Sequence, residues 1–298
     1  MLWLVNIVAY IINAVVVGGS TAGWWGATND TVSDDNPTLV TPDSWAFSIW
    51  GLIFLGELVF IIWQALSSNR NSEVVTEGVS CWFAMACILQ AVWSILFAQE
   101  ELVASAVVLV LIAFSLAMAV IGLAPFKAEK STLCLSVPFW TVHFPIGLHG
   151  GWVLAASLVN INVALNRPNL SLEVAALVLT VVGACLGATI AAVIFRDQVY
   201  LLAITWALAA IASKEKYRKE VLGAEIADGV REALTGLWIG LIVVGVISVF
   251  SGMMSSQSAN GEELGRPARS TERKQRNRPS ATSRGGHQSD LTSAIYTA

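Results

Sequence analysis

Eight apolar runs, each long enough or nearly long enough to cross a bilayer, constrain this chain more than any other feature. They lie near Leu2–Gly18, Ser44–Leu66, Val79–Ala98, Leu102–Leu123, His143–Leu165, Leu172–Phe195, Gln198–Ser213 and Leu234–Ser251. A hydrocarbon core about 30 Å thick takes roughly 20 helical residues to cross. Inside it each backbone N–H and C=O must be satisfied within its own segment, which for runs of this kind means the α-helix. With hydrophobic residues at 55% and charged residues at 13%, the composition is far from that of a soluble domain. The expectation is an all-α, multi-pass membrane protein. The first run has no basic leader and contains Asn6 and Asn13, so it is expected to be retained as a helix and not cleaved as a signal peptide.

The second run has an unusual entrance. Pro42 is followed by Trp45, Phe47 and Trp50, in a chain with twelve Trp in all. An aromatic belt at headgroup depth accounts for one ring of this kind. A Pro-bounded cluster of three suits a cavity for a large planar or apolar ligand. Along the same helix Trp50, Phe54, Glu57, Ile61 and Gln64 follow steps of three and four and share one face. Glu57 then sits near mid-membrane, where a carboxylate is costly and faces protein or water. It is read either as a functional or paired group, or as a neutral acid making one interhelical hydrogen bond.

The third and fifth runs repeat the theme of one ring and one amide per face. Gln90 accompanies Trp93; Trp152, Ala156 and Asn160 line one face of the fifth helix, with His149 about 60° around from them. His149 is a candidate for ligating a haem iron or bonding a propionate, although a membrane His more often bonds a neighbouring helix. His143, six positions earlier, falls off that face and is expected at the interface. Asn160 and Asn162 need partners in hydrocarbon, so at least one is expected to join helices. Each Trp is read as pocket lining or as plain packing. Gly147 and Gly151, Gly183 and Gly187, and Gly236 and Gly240 are spaced for close helix approach, within the chain or in a homodimer.

Other features exclude functions. Cys81, Cys87, Cys134 and Cys185 form no CxxC pair and stand at no metal-ligand spacing from His, so neither a metal site nor a disulfide framework is expected. No phosphate-binding or dinucleotide glycine pattern occurs, and the net charge of −4 points to no nucleic acid. The Lys214–Lys219 run and Arg167 lie on one side of the spans. Arg70, Lys127, Lys130 and Arg196 lie on the other, so the positive-inside rule assigns no orientation. From about Met253 to Ala298 the chain is Ser-, Arg-, Asn- and Gly-rich, with Ile295 and Tyr296 as late exceptions. It is expected to be a disordered tail, with Arg266–Arg284 a candidate contact for anionic lipid.

The pattern of the first five spans resembles the translocator-protein family, the tryptophan-rich sensory (TspO/MBR-related) proteins. The resemblance rests on Trp24 and Trp25 in the first loop and on Thr41-Pro42 followed by Phe47-Ser-Ile-Trp50-Gly-Leu-Ile. It rests equally on Gln90-Ala-Val-Trp93-Ser-Ile-Leu-Phe97, on Phe144-Pro145 to Trp152, and on the step of eight from Trp152 to Asn160. It is closest to the longer branch, in which three further helices follow the five-helix unit. The Asn29–Asp34 to Pro42 run and Trp206-Ala207 fit that branch as well. Trp45 and Trp50 stand five apart where shorter members have six, and Pro145 stands seven before Trp152 where theirs is closer.

The resemblance implies a five-helix unit over residues 1–166 and extra transmembrane helices over 167–252, ahead of the tail that composition marks over 253–298. It also implies a ligand pocket near the first loop, for a tetrapyrrole of the porphyrin or haem kind, a sterol or another hydrophobic molecule. The pocket residues expected are Trp45, Phe47, Trp50, Glu57, Trp93, His149, Trp152 and Asn160, with Trp24 and Trp25 as a lid. The partners expected are the lipid bilayer and the ligand, and no cofactor is required. A secondary transporter or channel using Glu57 is the second reading, although no internal repeat of the kind found in many transporters is visible. Some relatives are associated with photo-oxidative breakdown of porphyrin; no acid–base pair, nucleophile or metal cluster in this sequence calls for an enzyme.

Overall fold

The computed structural model describes residues 1–126, 136–165, 169–194 and 197–265, with side chains through Phe250. Lys127, Lys130, Cys134, Arg167, Arg196 and the tail from residue 266 onward lie outside the described residues. The helices are α1 (Leu2–Thr21), α2 (Asn29–Asp35), α3 (Ile49–Ala65), α4 (Trp82–Ala98), α5 (Leu102–Leu123), α6 (Phe144–Ala164), α7 (Leu170–Val193), α8 (Gln198–Ser213), α9 (Lys216–Leu222) and α10 (Ala224–Gly265). A 3-10 turn at Ser44–Ser48 precedes α3, and π-turns at Val74–Val79 and Phe139–His143 precede α4 and α6. A helix stands at each expected span, and no strand occurs among the described residues. The compact unit is Met1–Ser256. Residues 257–298 stand as a second unit, helical to Gly265.

Six helical segments are long and apolar enough to span a membrane, while α4 and α8 are shorter apolar helices. Their outward faces are what lipid requires. On α3, Leu52, Leu55, Val59 and Ile62 are exposed, whereas Ile53, Glu57, Phe60, Ile61 and Gln64 are buried. On α1 the buried stripe is Asn6, Ala9, Tyr10, Asn13 and Val17, the three-and-four spacing of one helical face. This protein thus turns Leu and Val outward and places amides and a carboxylate inward.

The central helix is α6. Its span is 72% buried, against 33% for α1 and α7 and 11% for the α10 span. It packs against α5, α8, α7 and α3, while α4 bridges α1 and α5. The small residues of α6 make this possible. A Cβ added at Gly151 would overlap the Tyr200 carbonyl of α8 and lie 2.9 Å from the Ala203 methyl. Gly187 of α7 likewise receives Leu154 of α6. The Gly236 and Gly240 pair on α10 meets nothing within 4 Å in this chain.

The expected disordered tail from Met253 begins instead as helix, since α10 carries on to Gly265. Extending an existing helix has no nucleation cost, and the Met, Gln, Ala and Glu between residues 253 and 263 tolerate it.

Candidate functional site

The site is built around the entrance to α3. Pro42 and the 3-10 turn at Ser44–Ser48 set the first residues apart from the helix proper, with Ser48 Oγ donating to the Trp45 carbonyl at 2.7 Å. The turn directs Trp45 and Phe47 to different sides. Trp45 is 41% exposed and packs edge-on against Trp206 of α8, its Nε1 donating to Ser213 Oγ. Phe47 and Trp50 point into the bundle.

There Phe47, Trp50, Trp93, Phe97 and Trp152 surround one cavity, with Asn160 at its wall. Trp50 and Trp152 meet edge-to-face at 6.0 Å and 87°, Phe47 and Trp152 at 6.2 Å and 85°. Trp93 lies 6.3 Å from Trp50 and stacks on Phe97 at 5.2 Å and 18°. Asn160 Oδ1 accepts from Trp93 Nε1 at 3.1 Å, and Ser105 Oγ lies 3.2 Å from it while also donating to the Leu102 carbonyl at 2.8 Å. With the carbonyl end so engaged, Nδ2 is left without a protein partner, as are Trp50 Nε1 and Trp152 Nε1.

The aromatic cavity is small, about 50 Å³, and its wall is completed by Ala207 and Ile211 of α8. Beside it is a cleft of about 650 Å³ between α1, the first loop and α3, lined by Tyr10, Val17, Thr28, Asp30 and Phe54 among others. Phe47 and Trp50 belong to both. Drug-sized ligands occupy pockets of roughly 300–1,000 Å³, a range the cleft meets and the aromatic cavity does not.

Glu57 and His149 lie one layer behind this wall and line neither cavity. Their Oε1 and Nδ1 are 2.6 Å apart and both side chains are fully buried. Trp50 covers the imidazole, centroids 5.7 Å apart and nearly perpendicular. Glu57, read from sequence as a functional or paired group or as a neutral acid with one interhelical hydrogen bond, meets His149 of α6.

Trp24 and Trp25 also lie away from both cavities. Trp24 is 67% exposed, and Trp25 Nε1 donates to the Val16 carbonyl at the end of α1. The part of the first loop that closes the site comes later, and α8 and α9 hold it. Asp43 N donates to the Ala210 carbonyl at 3.0 Å, and Trp206 Nε1 donates to the Ala46 carbonyl at 3.0 Å. Arg218, only 1% exposed, donates from its two terminal nitrogens to the Leu39 and Ala212 carbonyls. Burial pulls its pKa below the usual arginine value. At the surface Lys214 pairs with Asp34 at 2.8 Å. The loop's other end is tied to α4, where Ala27 N donates to the Ala98 carbonyl. Gly26, at φ +147°, packs so closely on that carbonyl that no side chain fits. The Asp30 carboxyl at the cleft is held below the usual carboxylate range by the Thr28 hydroxyl.

Of the residues expected from sequence, Phe47, Trp50, Trp93, Trp152 and Asn160 are therefore brought together around one cavity. Leu109, Val159, Ala207, Ile211 and the clamp residue Arg218 were missed. The lining residues are ordinary aliphatics, and Arg218 sits in a basic run that reads as solvated surface. Phe97 alone had a signal, one helical turn from Trp93.

No curated protein and no solved structure matches the chain. The family model of TSPO-like proteins does, over residues 3–252, from the first span through the last and across every residue of the site just described; the chain belongs to that family.

Proposed function

We propose that this protein binds a flat, largely apolar molecule carrying hydrogen-bond acceptors, tetrapyrroles being the leading class, and serves as a membrane ligand-binding or sensory protein. The observation that carries the reading is the convergence of Trp50, Trp93 and Trp152 on one cavity, among whose lining residues the side-chain polar atoms without a protein partner are all donors. Trp50 Nε1, Trp152 Nε1 and Asn160 Nδ2 each lack a partner in the protein. A buried N–H without an acceptor costs about 1–3 kcal/mol. A ligand with carbonyl, carboxylate or comparable acceptors at its edge removes that cost while its face stacks on the rings. Entry requires the rings of Phe47 and Trp50, which separate the cavity from the cleft, to turn aside and join the two spaces. Membership of a family of membrane ligand-binding and sensory proteins supports the same reading.

The transport reading gains less support. Glu57 is bonded to His149 and faces neither cavity, so it is not presented to a passing substrate.

The test is quenching of intrinsic Trp fluorescence in nanodiscs, titrated with protoporphyrin IX, haem and a sterol. Saturable quenching by a tetrapyrrole, weakened about tenfold or more by Trp50→Phe or Trp152→Phe, is the expected result. Each exchange removes one ring N–H and part of the stacking surface, worth about 1–3 kcal/mol. Flat titrations with all three in folded protein refute the proposal.

A further inference from the structure

The cleft beside the aromatic cavity has two chemically different ends. Helices α1 and α3 meet where Asn6 Nδ2 donates to Gln64 Oε1 at 3.0 Å and the Tyr10 hydroxyl donates to the Phe54 carbonyl at 2.9 Å. Beyond that crossing they border the cleft, α1 with Ala14, Val17 and Gly18, α3 with Trp50 and Gly51. A Cβ added at Gly18 or Gly51 would meet nothing within 4 Å. The two glycines continue outward-facing stripes, Ile11 and Val15 on α1 and Leu55 and Leu58 on α3. The deep end of the cleft is therefore apolar and adjoins hydrocarbon.

Its rim is polar and negative. Thr21 comes from the end of α1, Thr28, Asn29 and Asp30 from the first loop and the start of α2, and Ser44 from the entrance turn. Asp30 accepts from the Thr28 hydroxyl, which holds its carboxyl below the usual range, and no cation pairs with it among the described residues. Asn29 Oδ1 is buried without a protein partner. No Lys, Arg or His among the described residues lines the cleft. From Ala22 to Asp43 the chain carries four Asp and no Lys or Arg, and Lys214 is already engaged by Asp34 at 2.8 Å.

The two ends of the joined space thus ask for opposite chemistry. Around the aromatic cavity the side-chain atoms without a protein partner are donors, Trp50 Nε1, Trp152 Nε1 and Asn160 Nδ2, whereas the rim offers a carboxylate and an amide oxygen. A ligand that fills both spaces turns its acceptors inward and leaves its other end beside Asp30. A positive charge there meets the carboxylate, while a second carboxylate there meets a like charge with no Lys or Arg to offset it.

We infer that the cleft rim at Asn29 and Asp30 selects ligand by charge, favouring an amphiphilic ligand whose trailing end is cationic over one whose trailing end bears carboxylates. The inference rests on the pocket reading above and narrows it: among flat macrocycles of one size, those with positively charged substituents rank first, neutral esters next and dicarboxylates last.

The experiment uses the full chain in nanodiscs of zwitterionic lipid and three probes with one macrocycle: protoporphyrin IX, its dimethyl ester, and its bis-amide carrying two trimethylammonium groups. Trp quenching gives Kd for each in the parent protein and in Asp30→Asn, which keeps an acceptor for the Thr28 hydroxyl. The expected result is that Asp30→Asn weakens the cationic probe about two- to fivefold, as for an exposed ion pair, tightens the dicarboxylate by a similar factor and moves the ester least. Both shifts shrink as salt rises from about 0.05 M to about 0.5 M. Asn29→Asp, which adds a carboxylate at the same rim, shifts the cation and the dicarboxylate the opposite way and decides the matter if Asp30→Asn does not fold. The same change for all three probes, or none for any, overturns the inference and leaves the pocket standing. Absence of binding by all three in folded parent protein overturns the pocket reading and the charge selection with it.

Discussion

Replacing Arg218 by Met tests whether the added helices hold the site closed. The guanidinium is 1% exposed and donates to the Leu39 carbonyl at 3.2 Å and the Ala212 carbonyl at 3.0 Å, joining the first loop to the end of α8. Hydrogen bonds from a charged group contribute about 1.5–3 kcal/mol each, and each carbonyl left buried without a donor costs about 1–3 kcal/mol. Against this stands the desolvation of the guanidinium itself, several kcal/mol, which the variant no longer incurs. Met fills much of the same volume, so no large cavity opens. The net loss is about 2–4 kcal/mol, taken as an order of magnitude.

That loss should be local. Hydrogen exchange of the amides at residues 38–46 should quicken by a factor of about 30 to 1,000, since each 1.4 kcal/mol is tenfold. Amides in the core of α6 should not change. The Asp34→Asn variant is the control. Its salt bridge with Lys214 is half-exposed on the Asp side, and such pairs contribute about 0–1 kcal/mol, so loop exchange should move less than about fivefold. Equal protection of the loop in Arg218→Met and the parent protein would refute the clamp. Equal acceleration in both variants would show the loop to be held by charge in general, without a special part for the buried guanidinium.

Two further substitutions probe packing. Gly151→Ala drives a methyl into the Tyr200 backbone and should cost about 1–3 kcal/mol through overpacking, read as lowered thermal stability in detergent. Gly236→Ala meets nothing within 4 Å and should be neutral or stabilising by up to about 1 kcal/mol. A matching loss at Gly236 would reveal a partner on that face of α10. Asn160→Leu removes the acceptor of Trp93 Nε1, whereas Ser105 Oγ keeps the Leu102 carbonyl, and should cost about 1–3 kcal/mol. An unchanged melting temperature would show that the amide is not the centre of that network.

The spans could be read from sequence because lipid leaves the backbone almost no freedom. The ends of α5 and α8 fall where the apolar runs end, at Leu102–Leu123 and Gln198–Ser213. The faces could be read too, since a step of three or four fixes neighbours on one helix. What periodicity cannot supply is which helix stands opposite. Glu57 and His149 each stood out alone, yet they are 92 residues apart and only the packing of α3 against α6 makes them a pair. Trp45 lies apart from the cavity for a local reason: the 3-10 turn gives it a different direction from the helical residues after it, and it packs edge-on against Trp206. Trp24 and Trp25 have the composition of a lid, but the loop is fastened through Leu39, Asp43 and Ala46, whose contributions are backbone groups with no signature in residue type.

The same backbone contacts bear on why three helices follow the five-helix unit. A pocket built by α3, α4, α5 and α6 alone would lack the wall formed by Ala207 and Ile211. Its entrance turn would also lack the acceptor at Ala210 and the donor on Trp206. The turn carries Phe47, and α3 immediately after it carries Trp50, the two rings that separate the aromatic cavity from the larger cleft. Whatever sets the position of α8 therefore sets how readily those rings move. Because α8 packs directly on α6, the helix that carries His149, Trp152 and Asn160, a displacement of α8 would reach the pocket by two routes, through the entrance turn and through the central helix. The added helices are thus part of the site's construction, and a signal acting on them has a short physical path to the ligand.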